Sequence, residues 1–295
     1  MLAPLATAGA ERLAITFDDL PLNGELPRGS TRSGITRDVL AILDEQRVGP
    51  VYGFVNAGRP EHDADAERAL RVWVAGGQRV ANHTYRHSDL SQESTDEFLR
   101  DVAQNEPTLE RLDPSGHWRW FRYPFLHEGD TAEKRDAVRA ALLARGYRIA
   151  QVTIDWQDYL WNFAYARCRA RDDRSQLQWL HDSYLRAAAQ AIDTDRAIAE
   201  RVFGRPIDQV LLLHLGAYSP VILPDLLALL RAKGFTVAPL DTVGEDAALQ
   251  AIPDLPDRRD GTLLEQEMKA RGLTELRVPA PDPALETICR PLASP

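Results

Sequence analysis

The chain has 295 residues, of which 44% are hydrophobic and 27% charged. Lys plus Arg number 35 and Asp plus Glu 44, a net charge of -9, and a field of that sign argues against nucleic acid or an anionic membrane as the main partner. No apolar run approaches the roughly 20 residues that span a bilayer, and the two cysteines, Cys168 and Cys289, form no CxxC, which excludes a zinc ribbon or a thioredoxin-type site.

The first ten residues are small and apolar and lack a basic start. They read as a leader remnant, with the small-x-small pattern of a cleavage site at Ala6–Ala8 and Ala8–Ala10, or else as a frayed terminus. Beyond them, strand-like runs alternate with helical spacing. Leu13–Phe17 is a strand, and 34–47 is a helix with Ile35, Val39, Ile42 and Leu43 inward. Val51–Val55 is a strand, 64–75 a helix, and Arg79–Ala81 a weak strand. Residues 95–112 form a helix entered through a capping box at Ser94 and Glu97. Trp118–Phe121 is a strand, 131–145 a helix stopped by Gly146, and Tyr147–Ile154 a strand. A mostly helical stretch fills 175–203. Val210–Leu213 is a buried strand, 224–233 a helix, and Phe235–Val237 the last strand. After Leu240 prolines crowd the chain, with one helix-like piece at 262–271.

Seven strands separated by helices mean a parallel sheet with crossovers, and both open sheets and barrels satisfy that. Polar residues decide between them. Asp18–Asp19, His83, Arg122, Asp155 and His214 end five separate strands, and only a barrel gathers all those ends on one face. The expected fold is therefore a distorted seven-stranded (β/α) barrel. It would occupy residues 12–241, with a helical insertion at about 160–205 and a Pro-rich extension over 242–295.

Adjacent aspartates are commonly surface turns or caps. Asp18–Asp19 instead follow an apolar strand that Pro21 should end, and strand alternation would point them to opposite sides. Two carboxylates so close need a cation or an arginine nearby. His83 and His87 form an H-x3-H pair, which on a helical turn faces one way and can bind one metal; the bland reading is two exposed histidines. Thr84 excludes an HExxH protease. Two His and one Asp make a three-ligand site with open positions, the catalytic and not the structural arrangement. Arg122, set among aromatics, needs a carboxylate partner. His214, at the end of a buried strand, is either a satisfied core histidine or a site residue.

These segments resemble the five ordered motifs of the polysaccharide deacetylase family, the metal-dependent carbohydrate deacetylases of carbohydrate esterase family 4. Thr16–Asp19 looks like the first motif and Asn82–His87 like the second. Phe121–Phe125 is similar to the third, Ile154–Tyr159 sits where the fourth belongs, and Leu212–His214 looks like the fifth. The resemblance runs from about residue 12 to 240 and implies the same barrel. It implies Asp19, His83 and His87 as ligands of one divalent metal, zinc, per chain. Asp18 would be the general base on the attacking water, oriented by Arg122. His214 would be the general acid, held protonated by an aspartate of the fourth motif. The backbone N–H of Phe125 would help to hold the oxyanion, and Leu212 would line the pocket for the acetyl methyl.

Departures from the pattern are several. Leu20 replaces a usual glycine, and Phe125–Leu126 replace Tyr-Gly. Aligning the fourth motif gives Asp155, Asp158 and Tyr159, so Asp158 would partner His214; a competing register uses Asp155 with Trp156. Tyr159, or Trp156 in that register, would contact substrate. Leu215–Gly216 stand where an acid usually follows the fifth motif. The helical insertion either walls the groove or adds a packing layer.

The expected activity is hydrolytic removal of acetyl groups from an N-acetylated carbohydrate of peptidoglycan, chitin or exopolysaccharide type. The alternatives are an O-acetyl esterase of xylan type with the same site and a non-catalytic carbohydrate-binding barrel. A periplasmic or secreted location fits polymers outside the cytoplasm, with a cytoplasmic one as the alternative. The two cysteines are either unpaired small hydrophobes or a disulfide clamping the tail to the barrel, which would imply an oxidising compartment.

Overall fold

The computed structural model describes residues 11–58, 63–256 and 260–290; the leader-like residues 1–10 lie outside this range. The chain opens with β1 (Arg12–Asn23), α1 (Arg32–Glu45), β2 (Tyr52–Val55), α2 (Ala64–Ala75) and β3 (Arg79–Asn82). It continues through α3 (Thr95–Leu112), β4 (Trp120–Phe121), α4 (Ala132–Ala144) and β5 (Arg148–Ile149). Two helices, α5 (Tyr159–Ala170) and α6 (Arg174–Phe203), then precede β6 (Gln209–Gly216), α7 (Ser219–Ala232) and β7 (Thr236–Val237). All strand pairings are parallel, in the order β5-β4-β3-β2-β1-β6, with β7 beside the start of β1. Just past β5, Ile154 bridges Leu211 of β6. The curled sheet is thereby tied end to end as a distorted seven-stranded (β/α) barrel.

Local chemistry accounts for the helix starts. Asp63 accepts from the N–H groups of Asp65 and Ala66 to cap α2, and Ser94 and Glu97 form the capping box of α3. α6 starts at Asp173, which accepts from Gln176 N–H, and stops at Gly204, whose left-handed backbone glycine adopts without penalty.

Strand alternation sorts the side chains into two sets. Leu13, Ile15 and Phe17 of β1 join Val39, Leu43, Leu70 and Trp73 of the surrounding helices in the outer core. Ala14 faces the other way and packs with Tyr52, Phe54, Ala81, Trp120 and Val210 inside the barrel. Two to four residues further along β1, β3, β4 and β6, or just past their ends, the same inner face becomes polar. Ala14 leads to Thr16 and Asp18, Ala81 to His83, Trp120 to Arg122, and Val210 to Leu212 and His214. The barrel is thus apolar at one end and polar at the end where the strands finish.

The chain after β7 closes the apolar end. Leu240 and Val243 of α8 (Leu240–Val243), with Leu249 and Leu263, pack on Ala14 and Tyr52 in the inner cluster. Leu264 and Met268 of α9 (Leu263–Ala270) pack against Ile198 and Val202 of α6. α10 (Ala284–Thr287) lies on α5, where Cys289 forms a disulfide with Cys168. Arg167 of α5 donates to the carbonyls of Ile288 and Leu285 beside it. Among the described residues no helix is long and apolar enough to cross a membrane.

Candidate active site

Three expectations about local geometry are corrected at the polar end. Pro21 does not end β1, which runs on to Asn23. Nor do Asp18 and Asp19 face opposite sides of a regular strand. Asp19 has φ 64° and the pairing register shifts between Phe17 and Leu20, a bulge that re-aims a side chain. Both carboxylates therefore reach the same rim. The H-x3-H segment is also not a helical turn. It is a loop after β3 in which Thr84 and His87 have φ 63° and 62°. Buried asparagines hold that loop. Asn82 Oδ1 accepts from Thr84 N–H at 2.9 Å, and Asn56 Nδ2 donates to the carbonyls of His83 and Thr84.

His83, His87 and Asp19 converge, with one ligand atom of each within 4.8 Å of the others. Asp19 Oδ1 lies 3.4 Å from His87 Nε2 and 3.9 Å from His83 Nε2. Asn23, four residues after Asp19, donates Nδ2–H to Asp19 Oδ2 at 2.9 Å. His83 Nδ1 is 2.8 Å from the Arg122 carbonyl. A carbonyl can only accept, so Nδ1 carries the proton and Nε2 presents its lone pair. Burial lowers the His83 pKa to about 4 against the pull of Asp19, so this ring is neutral at neutral pH. Two imidazole nitrogens and a carboxylate fit a divalent cation of the zinc type.

Asp18 stands beside this set, its Oδ2 3.6 Å from His83 Nε2. Arg122 Nη1 lies 3.3 Å from both Asp18 oxygens. The guanidinium is itself fixed, donating to the Ala150 carbonyl at 2.7 Å and Thr16 Oγ1 at 3.2 Å, and lies over the Phe54 ring at 4.6 Å. Burial raises the Asp18 pKa despite the opposing charge of Arg122, making the carboxylate a better proton acceptor.

His214 forms the opposite side. Its Nδ1 is 2.7 Å from Asp158 Oδ1, and its backbone N–H donates to Asp158 Oδ2 at 3.0 Å. Asp158 occupies the N-cap of α5 yet makes no side-chain cap bond. An aspartate there ordinarily caps the helix; here both oxygens serve His214. Burial pulls the His214 pKa down, but the charge and hydrogen bond of Asp158 outweigh it and raise the pKa to about 9. Asp155 is not the partner. It accepts the Gln157 N–H at 2.7 Å, and burial pushes its carboxyl up to about 6.

The rim is aromatic. Phe125 is 55% exposed, with φ 59°, and its ring lies 4.4 Å from that of His87. Tyr159 lies 5.3 Å from His214 and 6.5 Å from Phe163, which is itself exposed. Trp156 is a correction: it is buried, packed at 5.5 Å against Tyr184 of α6, and faces the core instead of a groove. Leu212 is buried on the inner face just before His214. Sequence reasoning missed Thr16 and Asn23. Both are common residue types whose place in the site comes only from what they touch.

A family model described as polysaccharide deacetylase matches residues 6–150. A chitooligosaccharide deacetylase of Sinorhizobium fredii is 30% identical over 122 residues, 41% of this chain and 50% of that protein. The chain thus spans about half the length of the curated relatives it matches. Among solved structures, the chitin deacetylase of the fungal pathogen Colletotrichum lindemuthianum superimposes with a TM-score of 0.54 at 21% identity, over 80% of this chain and 88% of that one. A carbohydrate esterase family 4 pseudoenzyme from Bacillus anthracis gives 0.51 at 16% identity, over 80% and 66%. An enzyme and a pseudoenzyme share the fold, so activity has to be argued from the site.

Proposed function

We propose, from the match of residues 6–150 to the polysaccharide deacetylase family model, that the chain is a metal-dependent hydrolase that removes acetyl groups from N-acetylated carbohydrate. The observation that carries this reading is the convergence of three groups at one barrel end. They are the ligand set Asp19, His83 and His87, the Asp18–Arg122 pair, and the His214–Asp158 pair. A divalent cation held by the ligand set would supply Lewis acidity toward the attacking water and the acyl oxygen.

The chain's own residues divide the proton work. Asp18 takes the proton of the attacking water on a carboxylate oxygen, with Arg122 keeping that oxygen in place. The new C–O bond forms first, with the acyl oxygen taking up the electron pair; the C–N bond then breaks as His214 Nε2 gives its proton to the departing nitrogen. Asp158 holds Nδ1–H and so aims Nε2 at the substrate. The Phe125 N–H is assigned to the acyl oxygen and Leu212 to the acetyl methyl. Phe125 on the metal side and Tyr159 with Phe163 on the acid side give apolar faces for sugar rings. In this reading α5 and α6 are an insertion in the barrel and the chain after 241 is an extension closing it.

The His214 pKa near 9 favours amide over ester substrates. A departing amine needs a proton and an alkoxide needs less help, so an acid kept charged at neutral pH serves N-deacetylation. An acetate-release screen over N- and O-acetylated glycans tests this. His214→Ala is expected to cost about 10² to 10⁴ on the N-acetyl substrate. A loss confined to N-acetyl substrates supports the reading, and full activity of the variant contradicts it. The Cys168–Cys289 disulfide supports a periplasmic or secreted location.

A further inference from the structure

Asn162 of α5 is buried between the two sides of the site. Its Oδ1 accepts the Tyr218 N–H at 3.3 Å. A backbone N–H can only donate, so this contact fixes which way the Asn162 amide points. Its Nδ2 then donates to the His214 carbonyl at 3.3 Å and to Asn23 Oδ1 at 3.4 Å. With Oδ1 engaged, Asn23 turns its own Nδ2 to Asp19 Oδ2 at 2.9 Å. Asp19 Oδ1 is left as the oxygen toward His83 and His87. Hydrogen-bond polarity thus runs one way, from Tyr218 through two amides to the carboxylate. A Cβ at Gly216 would lie 2.2 Å from Asn162 Cγ, so glycine is required where β6 passes this side chain.

An isolated asparagine beside Asp19 could present either end of its amide. Oδ1 toward Asp19 would set two acceptors against each other and turn the carboxylate away from the histidines. We propose that Asn162 is a positioning residue that prevents this, fixing Asn23 so that Asp19 Oδ1 faces the metal and tying that oxygen to the strand that carries His214. The assignment rests on the metal-dependent reading above.

Zinc affinity of the apo-protein, measured by competition with a chromophoric chelator, tests it without turnover. Asn162→Leu removes the amide at similar volume. Asn162→Asp keeps the acceptor for Tyr218 but removes both donors, and stands in if the leucine variant does not fold. Each is expected to weaken zinc binding by about 10- to 100-fold, as is Asn23→Ala. Combining the Asn162 and Asn23 changes should weaken it no further than the larger single change, because both act on one contact. Wild-type protein that binds no zinc overturns the metal reading and this assignment with it. Wild-type protein that binds zinc, with folded Asn162 variants binding it equally well or with effects that simply add, overturns this assignment alone.

Discussion

The metal side and the acid side of the site are built from different parts of the chain and by different means. Asp18, Asp19, His83, His87 and Arg122 all lie within residues 6–150, the span that the family model matches. Each sits on a barrel strand or the loop directly after one, held by main-chain carbonyls, buried asparagines or, for Asp18, Arg122. Asp158 and His214 lie beyond that span. The acid side depends on the start of α5, which spends its N-cap aspartate on His214, and on β6, which carries the histidine. The metal ligands are therefore carried by the barrel itself, and α5 reaches them only through the Asn162–Asn23 contact, whereas the acid side is built directly on the start of α5. Changes on the metal side should abolish turnover outright. Those on the acid side should alter its pH dependence and substrate range.

The largest effect should come from the ligands. Asp19→Asn or His87→Ala is expected to lower acetate release on the order of 10³-fold or more and to weaken zinc binding. Full activity in either would break the distinction between the two sides. Next comes the pH profile. His214 is an acid only while protonated, so kcat/KM should fall as pH rises through about 9. Asp158→Asn removes the charge that raises this pKa, and the alkaline limb should move down by about 2 pH units. An unmoved limb would detach Asp158 from His214. The disulfide joins α5 to the chain beyond α10 and closes a loop with a sequence separation of 121. Cys168→Ser with Cys289→Ser should cost about 2–5 kcal/mol of stability by denaturant titration. Any loss of zinc affinity should be no larger than that of Asn162→Leu, since α5 reaches the metal side only through Asn162. The smallest effect is expected at the rim. Phe163→Ala should raise KM for an oligosaccharide by roughly fivefold, about 1 kcal/mol. It should leave a small acetyl ester untouched; an equal effect on both would remove Phe163 from the groove.

Much of this was legible in the sequence where one periodicity governed the segment. The helices at 64–75 and 95–112 lie where apolar spacing and capping residues put them. All seven strands overlap the runs that mark them, but the run 147–154 yields only Arg148–Ile149 and a single bridge at Ile154. What was hidden is what breaks a period. Asp19 reaches the rim because the strand bulges, and a sequence read with a repeat of two sends it to the other face. The His83–His87 spacing matches a helical turn, yet it is a loop, in which Asn56 donates to the Thr84 carbonyl and Asn82 accepts the Thr84 N–H. α5 is aromatic and apolar on most sides, so its helical repeat is weak. The Asn23–Asn162 contact joins residues 139 apart and leaves no local trace.

In the proposed function, deacetylation depends on a cation held by Asp19, His83 and His87. The most direct test is acetate release from an N-acetylated chitooligosaccharide by chelator-treated protein, titrated with zinc. Release is expected to be absent after chelation, to return in full at about one zinc per chain, and to decline above about pH 9. Release that persists without metal would contradict the account. So would a chain that binds one zinc and hydrolyses no acetylated glycan.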